Sequence, residues 1–239
     1  DGYVITDSGD TNYPYRVVMP HTCNGVTYDK PLDSSFTGGT LASGNYYLTE
    51  DITLASIIQI NAGSDVKICL NGKSINTEDV TGFDYTIRNY GTLTLNNCDT
   101  ANGIINTYSF TFLCYNNSVL YGNAAIYSPM EVKGRSKISG CTFNNDISCT
   151  ANSEITGGTF LNRTYIHNSV VISGGTFNQE VKVFDSGVIT GGYFSKAISS
   201  YNGNFIKGGY FKTKPDDSYI ADGYVITDSG DTNYPYRVV

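Results

Sequence analysis

Apolar and polar residues alternate along most of this 239-residue chain, and in its second half the alternation keeps a fixed period. Five segments align: ISGCTF at 138–143, ITGGTF at 155–160, ISGGTF at 172–177, ITGGYF at 189–194 and IKGGYF at 206–211. Their starting positions are evenly spaced, each seventeen places after the last. Carried backwards, this register puts Tyr121 and Ile126 on the Ile and Phe columns, and Ile104 on the Ile column again. Ten places into each unit lie Leu113, Met130, Ile147, Thr164, Val181 and Ile198. Two places further lie Tyr115, Val132, Cys149, Ile166, Val183 and Ser200. A gap of two residues puts both columns on one face of a strand. Turn formers separate the units, as at Asn152-Ser153, Asn168-Ser169 and Asp185-Ser186-Gly187.

A unit of that length is too short for two helices, and its Gly-Gly pair would break one. It suits one coil of a β-solenoid, each coil pairing with the next at about 4.8 Å. The Ile columns then fill the interior and the Phe column stacks as a ladder. The third-column Gly marks a bend where a Cβ would crowd the next coil. The earlier segments 45–54, 56–75 and 85–97 alternate in the same way with irregular lengths. The pattern predicts an all-β, single-stranded parallel β-helix of about ten coils between residues 40 and 211, roughly 50 Å long. Residues 19–214 form the β-helix, with a leading cap within 19–45. Pro215 and Asp216-Asp217 end it, and the strand-like GYVIT and YPYRVV, joined by DSGDTN, predict a β-hairpin in 215–239.

That tail carries an unusual signal. DGYVITDSGDTNYPYRVV fills positions 222–239 and, letter for letter, positions 1–18. With one copy starting at position 1 and the other at position 222, the unit of a tandem array would be 221 residues long, and positions 19–239 would be one whole unit. Residues 1–18 would then be the closing hairpin of a preceding unit, joining one β-helix to the next. End-to-end stacking of separate molecules is the competing reading.

Composition narrows the functions. Gly 26, Tyr 20 and only 15% charged residues suit strands and tight turns. A net charge of −7 without a Lys/Arg run argues against nucleic acid or an anionic membrane as partner, and no apolar run reaches the ~18 residues of a membrane span. Six cysteines (23, 69, 98, 114, 141, 149) contain no C-x-x-C, and with only His21 and His167 beside them the spacing argues against a zinc site. They read as small buried hydrophobes, the even count leaving disulfides open without a spacing framework, and no cofactor and no metal are expected.

No catalytic set assembles on these columns. Asp146, Arg163 and Glu180 share the ninth column and read as a surface ladder of alternating sign. His167 aligns with Phe184 and Tyr201 as a stacking position, and Asp185 reads as a turn former. The DSGDTN segments lack the spacing of an EF-hand loop. The one ligand-directed feature is aromatic. The outward fifth column runs Thr142, Thr159, Thr176, Tyr193, Tyr210, so Tyr193 and Tyr210 could make a small platform for a sugar ring, of host or dietary glycan origin.

At the I-[ST]-G-G-[TY]-F columns the chain resembles the parallel β-helix repeat modules of large bacterial cell-surface, adhesin-like proteins. VKICLNGKSI (66–75), YGTLTLNNC (90–98) and PDDSYIADGYVITDSGD (215–231) are similar to their leading and closing phrases. The resemblance implies a right-handed coil and an extracellular, surface-anchored fragment of a longer bacterial protein. It also implies a non-catalytic structural or adhesive role as a rigid spacer, whose partners are neighbouring repeats. A carbohydrate-binding module is the alternative. A polysaccharide lyase or hydrolase, which shares the overall shape, is third, and shape alone confers no activity.

Overall fold

The computed structural model describes residues 2–7, 11–77, 84–98, 103–106 and 111–239. Its strands are short, because each coil turns three corners within one brief repeat. Three parallel sheets run the length of the stack. The first has nine strands, from Lys30–Leu32 through Asp65–Cys69 and Thr92–Asn96 to Val188–Ile189. The second carries nine parallel strands from Ile52–Leu54 to Gly209–Phe211, and the third nine from Gly39–Leu41 to Ile198–Ser200. The fold is a parallel β-helix. The three sheets are staggered, the first and third starting one coil before the second and the second ending one coil after them. The Ile189–Ile206 bridge carries the first sheet one step further, so the stack has about ten coils, as expected, and is about 45 Å long at strand spacing.

The interior follows the columns. Ile138, Ile155, Ile172, Ile189 and Ile206 are buried in line, and Phe143, Phe160, Phe177, Phe194 and Phe211 stack behind them. Successive rings of that ladder lie 4.5–5.0 Å apart and within 17° of parallel. Five like rings one strand spacing apart stack because the register leaves them no other neighbour.

The Gly-Gly pair serves two different needs. The second glycine, at Gly158, Gly175, Gly192 and Gly209, holds φ of +105° to +115°, which L side chains rarely adopt. The first keeps an ordinary φ but packs on backbone. A Cβ at Gly174, Gly191 or Gly208 would overlap the carbonyl oxygen of Thr156, Ser173 or Thr190. The crowding expected at this column therefore exists, but the neighbour is the preceding coil, not the next one.

The backward extension of the period needs correcting. Leu120, not Tyr121, pairs with Ile138, and Tyr121 is exposed. Phe112 and Cys114, not Leu113 and Tyr115, pair with Met130 and Val132. Ile104 lies in the second sheet, off the Ile column, whereas Ile126 does pair with Phe143. The cause is one extra residue. Leu120 and Ile126 stand six apart where Ile138 and Phe143 stand five apart, so the corner at 121–125 is longer. Residues 112–120 are therefore offset by one, and the coils before them are longer still, Leu93 pairing with Leu120 and Ile105 with Ile126.

One interior position breaks the apolar rule. Thr164 lies between Ile147 and Val181 in the third sheet, and its Oγ1 is buried without a hydrogen-bond partner. A buried unpaired hydroxyl costs roughly 1–3 kcal/mol. Thr164→Val is expected to stabilise the fold by about 1 kcal/mol, read as a higher urea midpoint. An unchanged or lower midpoint would show that the hydroxyl is satisfied.

Both ends are built from antiparallel hairpins. At the start, His21–Cys23 pairs with Val26–Tyr28, and this hairpin packs on Tyr47 and Cys69 of the first sheet. At the end, Tyr236–Val238 pairs antiparallel with Gly209–Phe211 and with Ile226–Asp228, closing the edge of the second sheet. Residues 228–233 form the expected turn. Asp228 Oδ1 accepts from the Gly230 N–H at 2.9 Å, and Asp231 Oδ1 from the Asn233 N–H at 2.7 Å. The matching turn at 7–12 lies partly outside the described residues.

Candidate functional site

The outward fifth column places Tyr193 and Tyr210 as the sequence suggests. Their rings stack at 4.9 Å and 13°. The terminal hairpin then settles on them. Tyr234 meets the Tyr193 ring edge-on at 5.2 Å, and the Arg237 guanidinium lies 5.2 Å from the Tyr210 centroid. Because Tyr210 pairs with Tyr193 on one side and Arg237 on the other, its ring is held between them. Tyr193 keeps 41% of its surface. The two rings seat the hairpin, and a sugar would have to share them with Tyr234 and Arg237.

The same hairpin borders a groove of about 640 Å³ with the short 3₁₀ turn Asp217–Tyr219. Its carboxylates are already engaged. Asp217 pairs with Lys214 at 2.9 Å, and Asp228 caps its own turn. Along the coils Asp146 pairs with Arg163 at 3.0 Å, as the ladder reading expects, while Glu180 instead accepts from Ser199 Oγ at 2.5 Å. Glu131 and Glu154 pair with Lys133 and Lys137. Such part-exposed pairs contribute about 0–1 kcal/mol each and read as scaffolding. His167 stacks on Phe184 at 4.3 Å and 1°, with Tyr201 tilted beyond.

The cysteines divide into two groups. Cys114, Cys141 and Cys149 are buried among apolar side chains, and burial pushes the thiols of Cys114 and Cys141 up to about 12. The other three do not behave as isolated hydrophobes. Cys23, Cys69 and Cys98 meet His21 at the N-terminal cap, with their Sγ atoms and an imidazole nitrogen all within 4.8 Å of one another. His21 Nε2 lies 3.2 Å from the sulfurs of both Cys69 and Cys98, which stand 3.8 Å apart. Linear spacing argued against such a centre. The stack overrides it by laying the strand ending at Cys69 beside Thr92–Asn96, two residues before Cys98, and by folding the cap hairpin over both.

Searches of family models, of curated proteins and of solved structures each found no match. Among the described residues no helix is long and apolar enough to cross a membrane.

Proposed function

We propose that this chain is a rigid, non-catalytic spacer unit of a tandem array in a secreted or surface-anchored bacterial protein of adhesive type. Its partners are the neighbouring repeats of the same polypeptide. The duplicated hairpin carries this reading. Both copies pair in the same register: Ile5 opposite Val17 and Thr6 opposite Arg16 in one, Ile226 opposite Val238 and Thr227 opposite Arg237 in the other.

The two copies use opposite faces. At the C-terminal end Tyr236 and Val238 pack onto the last coil, and Val238 is 2% exposed. Their counterparts Tyr15 and Val17 are 75% and 66% exposed. At the N-terminal end it is Arg16 and Val18 that turn to the rod. Val18 is buried, and Arg16 Nη2 donates to the Pro31 carbonyl at 3.1 Å. Their counterparts Arg237 and Val239 are exposed. Residues two apart on a strand share a face and residues one apart do not. One hairpin can therefore close the rod before it with one face and seat the rod after it with the other. The arginine is the one side chain that both contacts claim, since Arg237 also lies over Tyr210.

The test is a two-unit chain in which residues 1–221 precede the full 239-residue sequence. A single joint hairpin then stands between two rods. Small-angle scattering is expected to show one stiff particle about twice as long as the single chain, with slow amide exchange in the joint. Two rods tumbling independently, with fast exchange in the joint, would overturn the reading.

A further inference from the structure

We propose that His21, Cys23, Cys69 and Cys98 form a structural Zn²⁺ site that clamps the N-terminal cap onto the first sheet. The donor set is three thiolates and one imidazole, a soft combination that favours zinc in tetrahedral geometry. Zn–S bonds of about 2.3 Å and a Zn–N bond of about 2.0–2.1 Å set tetrahedral edges of about 3.8 Å between sulfurs and about 3.5 Å from nitrogen to sulfur. Cys69 and Cys98 stand 3.8 Å apart, on that edge. His21 Nε2 is 3.2 Å from each, a few tenths of an ångström inside it. The two sulfurs are unbonded in this structure, where a disulfide would hold them at about 2.05 Å.

The surroundings suit a closed centre. Cys23 and Cys69 pack with Tyr28 and Tyr47 in a small apolar cluster separate from the main core. The His21 ring stacks on Tyr47 at 5.6 Å, which fixes its plane. Tyr28 and Tyr47 are themselves anchored, Tyr28 OH accepting from Asn96 Nδ2 and Tyr47 OH donating to the Met19 carbonyl. Cys23 precedes Asn24-Gly25 and Cys69 lies two before Asn71-Gly72. Both pairs have φ between +51° and +75°, so the chain folds back beside each sulfur.

Four protein ligands leave no open position, so the centre is structural rather than catalytic. On binding, three S–H bonds break and three protons pass to solvent. Three Zn–S bonds and one Zn–N bond form from lone pairs, and no electron is transferred. The site joins residues 48 and 77 positions apart in sequence, and it holds a hairpin of two three-residue strands that would be marginal alone.

The experiment strips metal from the full chain with chelator under reductant and titrates it with Zn²⁺ and with Co²⁺. The expected result is one metal per chain, with thiolate-to-cobalt charge transfer and the visible bands of tetrahedral cobalt. Cys98 is exposed, so Cys98→Ala keeps the rod. It is expected to weaken Zn²⁺ binding by at least about 100-fold, beyond the 10–100-fold of an outer-contact change. His21→Ala, with far-UV circular dichroism unchanged, is expected to do the same. Folded chain that takes up no stoichiometric metal would overturn the proposal. So would undiminished affinity in Cys98→Ala, or metal-free protein isolated without reductant that carries a Cys69–Cys98 disulfide by mass.

Discussion

Replacing Phe177 with Ala is expected to destabilise the β-helix by about 3–5 kcal/mol, the cost of removing a large ring from a core that cannot collapse around the gap. Phe177 is 1% exposed and stands in the middle of the ladder, 4.5 Å from Phe160 and 4.9 Å from Phe194. Two ring stacks are lost with it, and each adds about 0.5–1.5 kcal/mol beyond area. The neighbouring coils cannot close in, because strand pairing of Thr159, Thr176 and Tyr193 fixes their spacing. Urea unfolding followed by circular dichroism reads the change. The control is Phe184→Ala, since Phe184 stacks on His167 at the half-exposed outer surface and should cost far less. In a solenoid each coil contacts only its neighbours, so a gap at coil centre should also let the two halves unfold apart, lowering the denaturant slope. Equal effects for Phe177→Ala and Phe184→Ala would mean that the ladder does not hold the stack together.

Deleting residues 222–239 is expected to turn the chain into a head-to-tail polymer. The deletion bares the Gly209–Phe211 edge, with its unpaired backbone groups and the apolar seat of Tyr236 and Val238. Residues 1–18 of a second molecule carry the same strand, in the same hairpin register, with Tyr15 and Val17 exposed. The resulting contact joins one end of a rod to the other end of the next. It is heterologous and does not close, so it propagates. The intact chain escapes this because its own hairpin reaches the edge at a high effective concentration. Sedimentation over a concentration series should show a growing ladder of oligomers for the deleted chain and a single species for the intact one. Removing residues 1–18 as well should abolish the ladder. A deleted chain that stays monomeric would count against the hairpin as the joint between units.

The part of the fold most legible in the sequence is the stack from Ile138 onward. Each coil there buries the same columns, so the same residue types recur at Ile138, Phe143 and Ile147 and at the matching places of every later repeat. The duplicated hairpin was equally legible, and its two copies pair in one register because identical residues carry one turn chemistry. The outward direction of Tyr193 and Tyr210 followed from the inward Phe beside them.

Other features belong to the tertiary structure. The extra residue at the 121–125 corner shifted the register of residues 112–120, and no single residue announces it. A corner absorbs one residue without disturbing the pairing on either side, so only the pairing of Leu120 with Ile138 reveals it. The use of Tyr193 and Tyr210 as a seat depended on where the hairpin docked, which the strand edge at Gly209–Phe211 decides. The meeting of His21, Cys23, Cys69 and Cys98 was the least visible. The sequence separates them by as many as 77 positions, and their spacing fits no linear metal motif. What joins them is stacking. Parallel coils bring Cys69 beside the strand that leads to Cys98, and the cap hairpin carries His21 and Cys23 across both. The sequence by itself determined the repeating coil, because burial in a solenoid repeats along the chain. The tertiary structure alone decided which unlike residues from different coils share a corner.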